Sequence, residues 1–104
     1  MLSQERRIDL DGILRTTLGS DNVYFQPPAS VKMKYPAIRY EVENIDKRNA
    51  DNNTYFAQRE YTLTLIAKDP DIDVVEKLIM LPMCRFDRYY SADNLHHWGF
   101  SVYY

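Results

Sequence analysis

The chain of 104 residues has one cysteine, Cys84, so no disulfide can form within it. That usage fits a reducing compartment such as the cytosol. Long apolar runs are also missing. Nothing approaches the roughly 20 apolar residues that a membrane-spanning helix needs. Residues 3–7 are polar and charged, which breaks any signal-peptide pattern at the start. The expectation is a soluble protein that is cytosolic when made and uses no membrane. An excess of positive charge is absent as well. Lys and Arg number 13 against 15 Asp and Glu, for a net charge of −2 and a pI of about 5.6. This is not the basic footprint of a sequence-reading nucleic-acid binder. The three glycines form no phosphate-binding pattern.

What is present is an ordinary globular balance, with 45% apolar and 27% charged residues, so a disordered chain is not expected. The length suits a single domain spanning 1–104 with one core, burying roughly two-thirds of the unfolded surface. Tyrosine is the unusual entry in the composition. Nine Tyr accompany four Phe and one Trp. A tyrosine ring suits a surface that is wet when free and dry when docked. The plainer alternative is that aromatics fill the half-buried pleats of strands.

The spacing of Leu10, Ile13, Leu14 and Leu18 predicts a helix over Ser3–Leu18. Ser3 is the expected N-cap, and Gly19 is expected to close the helix in a left-handed turn. Asp9, Asp11 and Arg15 fall toward the polar side, and Gly12 is expected to allow close packing on a sheet. Val23, Tyr24 and Phe25 read as a short strand. Pro27 and Pro28 then forbid ladder pairing, so 26–34 is expected to be an extended, mostly unpaired arm. Residues 35–45 alternate apolar and charged, with Ile38, Tyr40 and Val42 on one face and Arg39, Glu41 and Glu43 on the other. Residues 46–53, rich in Asn and Asp, read as a polar loop joining two antiparallel strands.

A long strand over 54–68 follows. Tyr61, Leu63, Leu65 and Ala67 share its core face, and Ile66 hints that the opposite face is not wholly wet. Asp69 as N-cap with Pro70 in the first turn predicts a second helix, buried through Val74, Val75, Leu78 and Ile79 and ended by Pro82. Residues 83–90 and 95–104 read as a closing hairpin turning at 91–94, with Cys84, Phe86 and Arg88 in one phase, and with its last strand ordered to the end. The simplest fold is α+β: a four-stranded antiparallel sheet with two helices packed on one face, in the order α-β-β-α-β-β, plus the proline-containing extended arm.

A search for chemistry finds no catalytic constellation. His96 and His97 are adjacent in a strand and point to opposite faces, and a structural zinc site needs about four ligands. Cys84 runs in phase with Phe86, which favours burial as a small hydrophobe. Ser91 and Ser101 lie in no nucleophile motif. Asp69, Asp71 and Asp73 are accounted for by helix capping. No enzyme activity, metal or cofactor is expected. Lys32 and Lys34 beside the arm, and Lys47 and Arg48 at the hairpin tip, are either solvated pairs or rim contacts to a partner or to passing nucleic acid.

Several stretches carry a family resemblance: 22–28 (NVYFQPP), 32–40 (KMKYPAIRY), 61–71 (YTLTLIAKDPD), and 81–90 (LPMCRFDRYY) with Asp93-Asn94-Leu95. Together they resemble the tail-completion proteins of long-tailed bacteriophages and prophages, also called tail-terminator or head–tail joining proteins. The resemblance covers nearly the whole chain. It implies an α+β fold and a homo-oligomeric ring, typically a hexamer, that caps the tail tube and joins it to the neck. The implied partners are copies of itself, the tail-tube protein and head–tail connector proteins. DNA would pass through the lumen without sequence-specific binding. The implied location is the virion tail or neck, reached from the host cytoplasm during assembly.

A closed ring needs two unlike patches on each subunit. The arm and the hairpin supply candidates: Tyr24, Phe25, Pro27, Pro28, Lys32, Lys34, Lys47, Arg48 and Tyr55. An acidic pI also suits a conduit through which DNA must slide. Two other classes stand beside this reading. One is a head-completion protein or other interaction module. The other is a small-ligand or nucleic-acid-binding domain whose aromatic strands stack bases.

Overall fold

The computed structural model describes residues 3–50 and 53–104, and side chains for 5–45 and 59–104. The elements run α1 (Ser3–Leu18), β1 (Val23–Phe25), β2 (Ala37–Ala50), β3 (Asn53–Ala67), α2 (Val74–Ile79), β4 (Cys84–Ala92) and β5 (Leu95–Tyr103). The five strands form one sheet in the order β1-β2-β3-β5-β4. The sheet is mixed, because β1 lies parallel to β2 with Val23 opposite Ile38. The fold class is therefore α+β, but the four-stranded antiparallel sheet expected from the sequence is corrected to five strands. Val23-Tyr24-Phe25 was legible as a strand. Its parallel partner was not, because alternation along one strand carries no information about which neighbour it pairs with.

One face of the sheet carries the core. Leu10 and Leu14 of α1 and Leu78 of α2 are fully buried, against Ile38, Tyr40, Leu63, Leu65 and Phe100. Both helices thus cover the same face. Gly19 ends α1 at φ 81°, donating its N–H to the Arg15 carbonyl, a left-handed termination that suits glycine. Four details of the helices differ from expectation. Ser3 already lies within α1 instead of preceding it. Gly12 is exposed, and a Cβ there would meet nothing within 4 Å, so it makes no close packing on the sheet. Asp11 lies on the flank of the stripe and accepts a hydrogen bond from the Tyr40 hydroxyl at 2.6 Å.

The fourth difference is the start of α2, which begins at Val74 with Asp73 as N-cap, without a side-chain cap bond. Asp69 instead bonds the N–H of Asp71, closing a turn ahead of the helix. The helix has six residues. Its buried stripe is correspondingly narrow: Val74 and Leu78 are enclosed, while Ile79 is 47% exposed.

Residues 46–53, expected to be a loop, are mostly ladder. Asp46 pairs with Gln58, Lys47 with Ala57 and Arg48 with Phe56. Backbone hydrogen bonds extend the hairpin through a segment whose Asn and Asp content signals a turn. The last pair between β3 and β5 is Glu60 with Tyr103, and β1 ends at Phe25. Beyond those points β2 and β3 continue as a two-stranded ribbon, and the molecule reaches 51 Å along its longest axis against 27 and 23 Å across.

In the β4–β5 hairpin, Asp93 and Asn94 have φ values of 54° and 62°, both positive as a two-residue type I′ turn requires. A bulge falls between Phe86 and Arg88. It inverts the expected alternation. Phe86 faces Phe100 on the core side, but Arg88 lies opposite Gly99 and Tyr89 opposite Trp98. Arg88 is thereby out of phase with Phe86, and Tyr89 joins the core side.

Candidate interaction surfaces

The face of the sheet away from the helices is shaped by the proline arm. After Phe25 the chain turns at Gln26, whose φ is 43°. Gln26 donates its N–H to the Tyr40 carbonyl, and its side-chain oxygen accepts from Val42 N–H. Pro27 and Pro28 then carry the chain off the β2 edge. The arm folds back across the outer face, held by a turn from Val31 N–H to the Pro28 carbonyl. The N–H of Lys34 donates to the Tyr24 hydroxyl, and the amide of Asn22 to the Pro36 carbonyl. The arm covers Ile66, which is 5% exposed although it faces away from the helices. That is the covering which the sequence hinted at.

Between arm and sheet lies a groove of about 420 Å³ lined by Pro27, Pro28, Met33 and Tyr35 on one side and Arg39, Tyr90 and His97 on the other. The Tyr90 and His97 rings stack 4.7 Å apart, 10° from parallel, and the Arg88 guanidinium lies over Tyr90. A second depression of about 410 Å³ runs along the same face past Glu41, Glu43, Glu60, Asp87 and Arg88. Two of its carboxylates, Glu43 and Asp87, are tied locally. Thr62 donates to Glu43, Ser101 to Asp87, and Arg85 pairs with Asp87 at 3.2 Å.

The nine residues singled out in the sequence do not form one surface. Tyr24 is half-buried beneath the arm, on the outer face opposite Arg39. Phe25 points to the core side, with its ring 5.0 Å from Tyr40 and the Arg7 guanidinium 4.4 Å above it. Adjacent strand residues must diverge in this way. Pro27 and Pro28 line the groove, and Lys32 and Lys34 are exposed on the arm. Lys47, Arg48 and Tyr55 lie in the ribbon's backbone, and their side chains are outside the described residues.

Sequence reasoning missed the β4 edge. Phe86, Tyr89 and Tyr90 are 43%, 49% and 38% exposed along the last strand of the sheet. Their density as a run of aromatics was visible. Which face each takes depends on the bulge, which leaves no mark in the alternation.

Burial of Cys84, with the nearby Asp87 carboxylate second, pushes its thiol up to about 11. At neutral pH it is a protonated, weakly nucleophilic side chain. His96 shares a short hydrogen bond with the Tyr89 hydroxyl, while His97 stacks on Tyr90 across the sheet. Among the described residues, no three His, Cys, Asp or Glu side chains gather as a metal site, and no helix is long and apolar enough to cross a membrane. The chemistry these surfaces offer is that of docking: open strand edges, exposed rings and charges of both signs. Compared with known protein families and curated proteins, the chain matches no family model and no curated relative.

Proposed function

We propose that this chain is a structural subunit of a phage tail or neck ring that terminates the tail tube and joins it to the head, with DNA passing through the lumen. The observation that carries this reading is the two-stranded ribbon extending past the end of the core. An isolated two-stranded hairpin is marginal in water, so a ribbon of this length calls for a surface to rest on. The sheet also ends in two unlike edges, β1–β2 on one side and β4 on the other. Unlike patches are what a cyclic assembly uses. The sequence resemblance, spread over nearly the whole chain, supports the same reading. So does the outer face, where Glu41, Glu43, Glu60 and Asp87 mix with Arg39 and Arg88 and offer no continuous basic track to hold DNA.

The test is native mass spectrometry and negative-stain imaging of the purified protein, alone and with tail tubes of the phage or prophage that encodes it. Rings of one stoichiometry, seated on tube ends, are the expected result. A monomer in every condition, tubes included, would sink the reading. A monomer alone in dilute solution would not, because a ring can require its tube to close. Salt-dependent retention on DNA without ring formation would instead favour a nucleic-acid-binding domain.

A further inference from the structure

We infer that neighbouring copies of this chain join by antiparallel strand addition, with the outer edge of β2 in the ribbon of one copy pairing with the outer edge of β4 in the next. The inference rests on the ring reading and names the surfaces that would close it. The β2 edge is open for a local reason. Gln26 and the two prolines turn the chain away after Phe25, and the last hydrogen bond to this edge from the β1 side is that of Gln26 with Val42. Beyond it, 44–50 find their strand partner in β3, and of the outward amides that of Ile45 donates to the Asn44 side-chain oxygen. At the far side of the sheet, β4 pairs with β5 alone. Unpaired ladder groups at a sheet edge select a strand as their partner.

The directions agree. Along the sheet β2, β3, β5 and β4 are successively antiparallel, so β2 and β4 run in opposite senses. Placing the β2 of one copy beside the β4 of the next gives an antiparallel pair with the helix-covered face kept on one side, and the operation repeats head to tail. The side chains match as well. Ile45 of the ribbon, 56% exposed, lies opposite Arg59 in the register that follows the bulge after Val42, on the helix-covered side. Phe86 and Tyr89 at the β4 edge are exposed on that same side.

Alternation of the ladder identifies which amides face outward. Tyr40 and Val42 bond toward β1, and the bulge then leaves Lys47 facing the free edge. In β4 the two-residue turn fixes Ala92 toward β5 and therefore Ser91 away from it. Lys47→Pro and Ser91→Pro each remove one outward donor and spare the ladder within the chain, and Lys47→Ala and Ser91→Ala are the controls.

Sedimentation velocity at assembling concentration, with and without tail tubes, is expected to show that each proline variant associates at least tenfold more weakly than its alanine control. Mixing the two proline variants is expected to give dimers and nothing larger, because each supplies the edge that the other has lost. Amide hydrogen exchange of the wild-type chain is expected to slow at Lys47, Tyr89 and Ser91 on assembly, a reading that does not depend on the variants folding. Rings that form undiminished from both proline variants, without new protection at these amides, overturn this inference and leave the ring reading standing. Loss of assembly in Lys47→Pro alone also overturns it, in favour of ribbon-to-ribbon pairing. A wild-type chain that stays monomeric up to millimolar concentration, with and without tubes, overturns both.

Discussion

The residue that links helix and sheet most directly is Tyr40. Its ring is fully buried between Phe25 and Tyr61, and its hydroxyl donates to Asp11, whose other oxygen accepts from the Arg15 guanidinium at 2.5 Å. Burial, and next the bond to Asp11, push the phenol above its ordinary value. Folding therefore favours the protonated phenol. Its contribution is complete below about pH 10, where an unfolded tyrosine begins to ionise, and is lost as pH rises toward the folded pKa. Tyr40→Phe is expected to cost about 1–2 kcal/mol at neutral pH, the lower part of the range for a hydrogen bond to a charged group, because Asp11 keeps Arg15. Urea denaturation at pH 7 and pH 10.5 checks this: the gap between wild type and variant should shrink at the higher pH, and a gap that widened would contradict the assignment. The burial of Tyr40 was legible, because it alternates with Arg39 and Glu41. Its bond was not, since Asp11 sits at the margin of a helical stripe where spacing alone reads it as solvent-facing.

At the scale of elements, the β4–β5 hairpin shows how much a turn decides. Asp93 and Asn94 both hold positive φ, a conformation costly for a side chain with a branched β-carbon and free for glycine. Asn94→Val should destabilise the fold by about 1–2 kcal/mol, and Asn94→Gly should leave it equal or raise it by about 0.5 kcal/mol. Equilibrium unfolding of the two variants gives the answer, and equal losses in both would mean that the turn conformation does not carry the effect. The turn was readable from its residue types and the two flanking strands from their aromatics. The bulge at Asp87 was not readable, because one inserted residue changes no composition and yet exchanges the faces of everything after it. The polar run in 46–53 failed for the opposite reason: its composition points to a loop, but its backbone pairs. The groove beneath the proline arm combined both difficulties. The prolines announced an arm, and Ile66 announced a covered face, but only the fold shows that the one covers the other.

For the whole molecule, the ribbon separates what stabilises the fold from what the fold presents. The core joins both helices to the central strands through Leu10, Leu14, Leu78, Leu63 and Phe100, and none of these residues lies in the ribbon. Past Arg59, whose carbonyl still accepts from the Tyr104 N–H, 46–50 pair with 53–58 of β3, so removing the ribbon beyond that point should scarcely touch the core. Asp46 and Gln58 form a pair across the ribbon in the register that a two-residue turn closes. Replacing 47–57 with Asn-Gly should therefore give a shortened, folded chain whose unfolding free energy changes by less than about 1 kcal/mol, as for surface changes away from packed groups. The same chain should form no rings, alone or on tail tubes. Thermal unfolding and native mass spectrometry on one sample read both quantities. A shortened chain that still closes rings would move the contact between copies elsewhere on the sheet. A shortened chain that unfolds would mean that the ribbon holds the monomer together, contrary to a core in which Leu10, Leu14, Leu63, Leu78 and Phe100 all lie outside it.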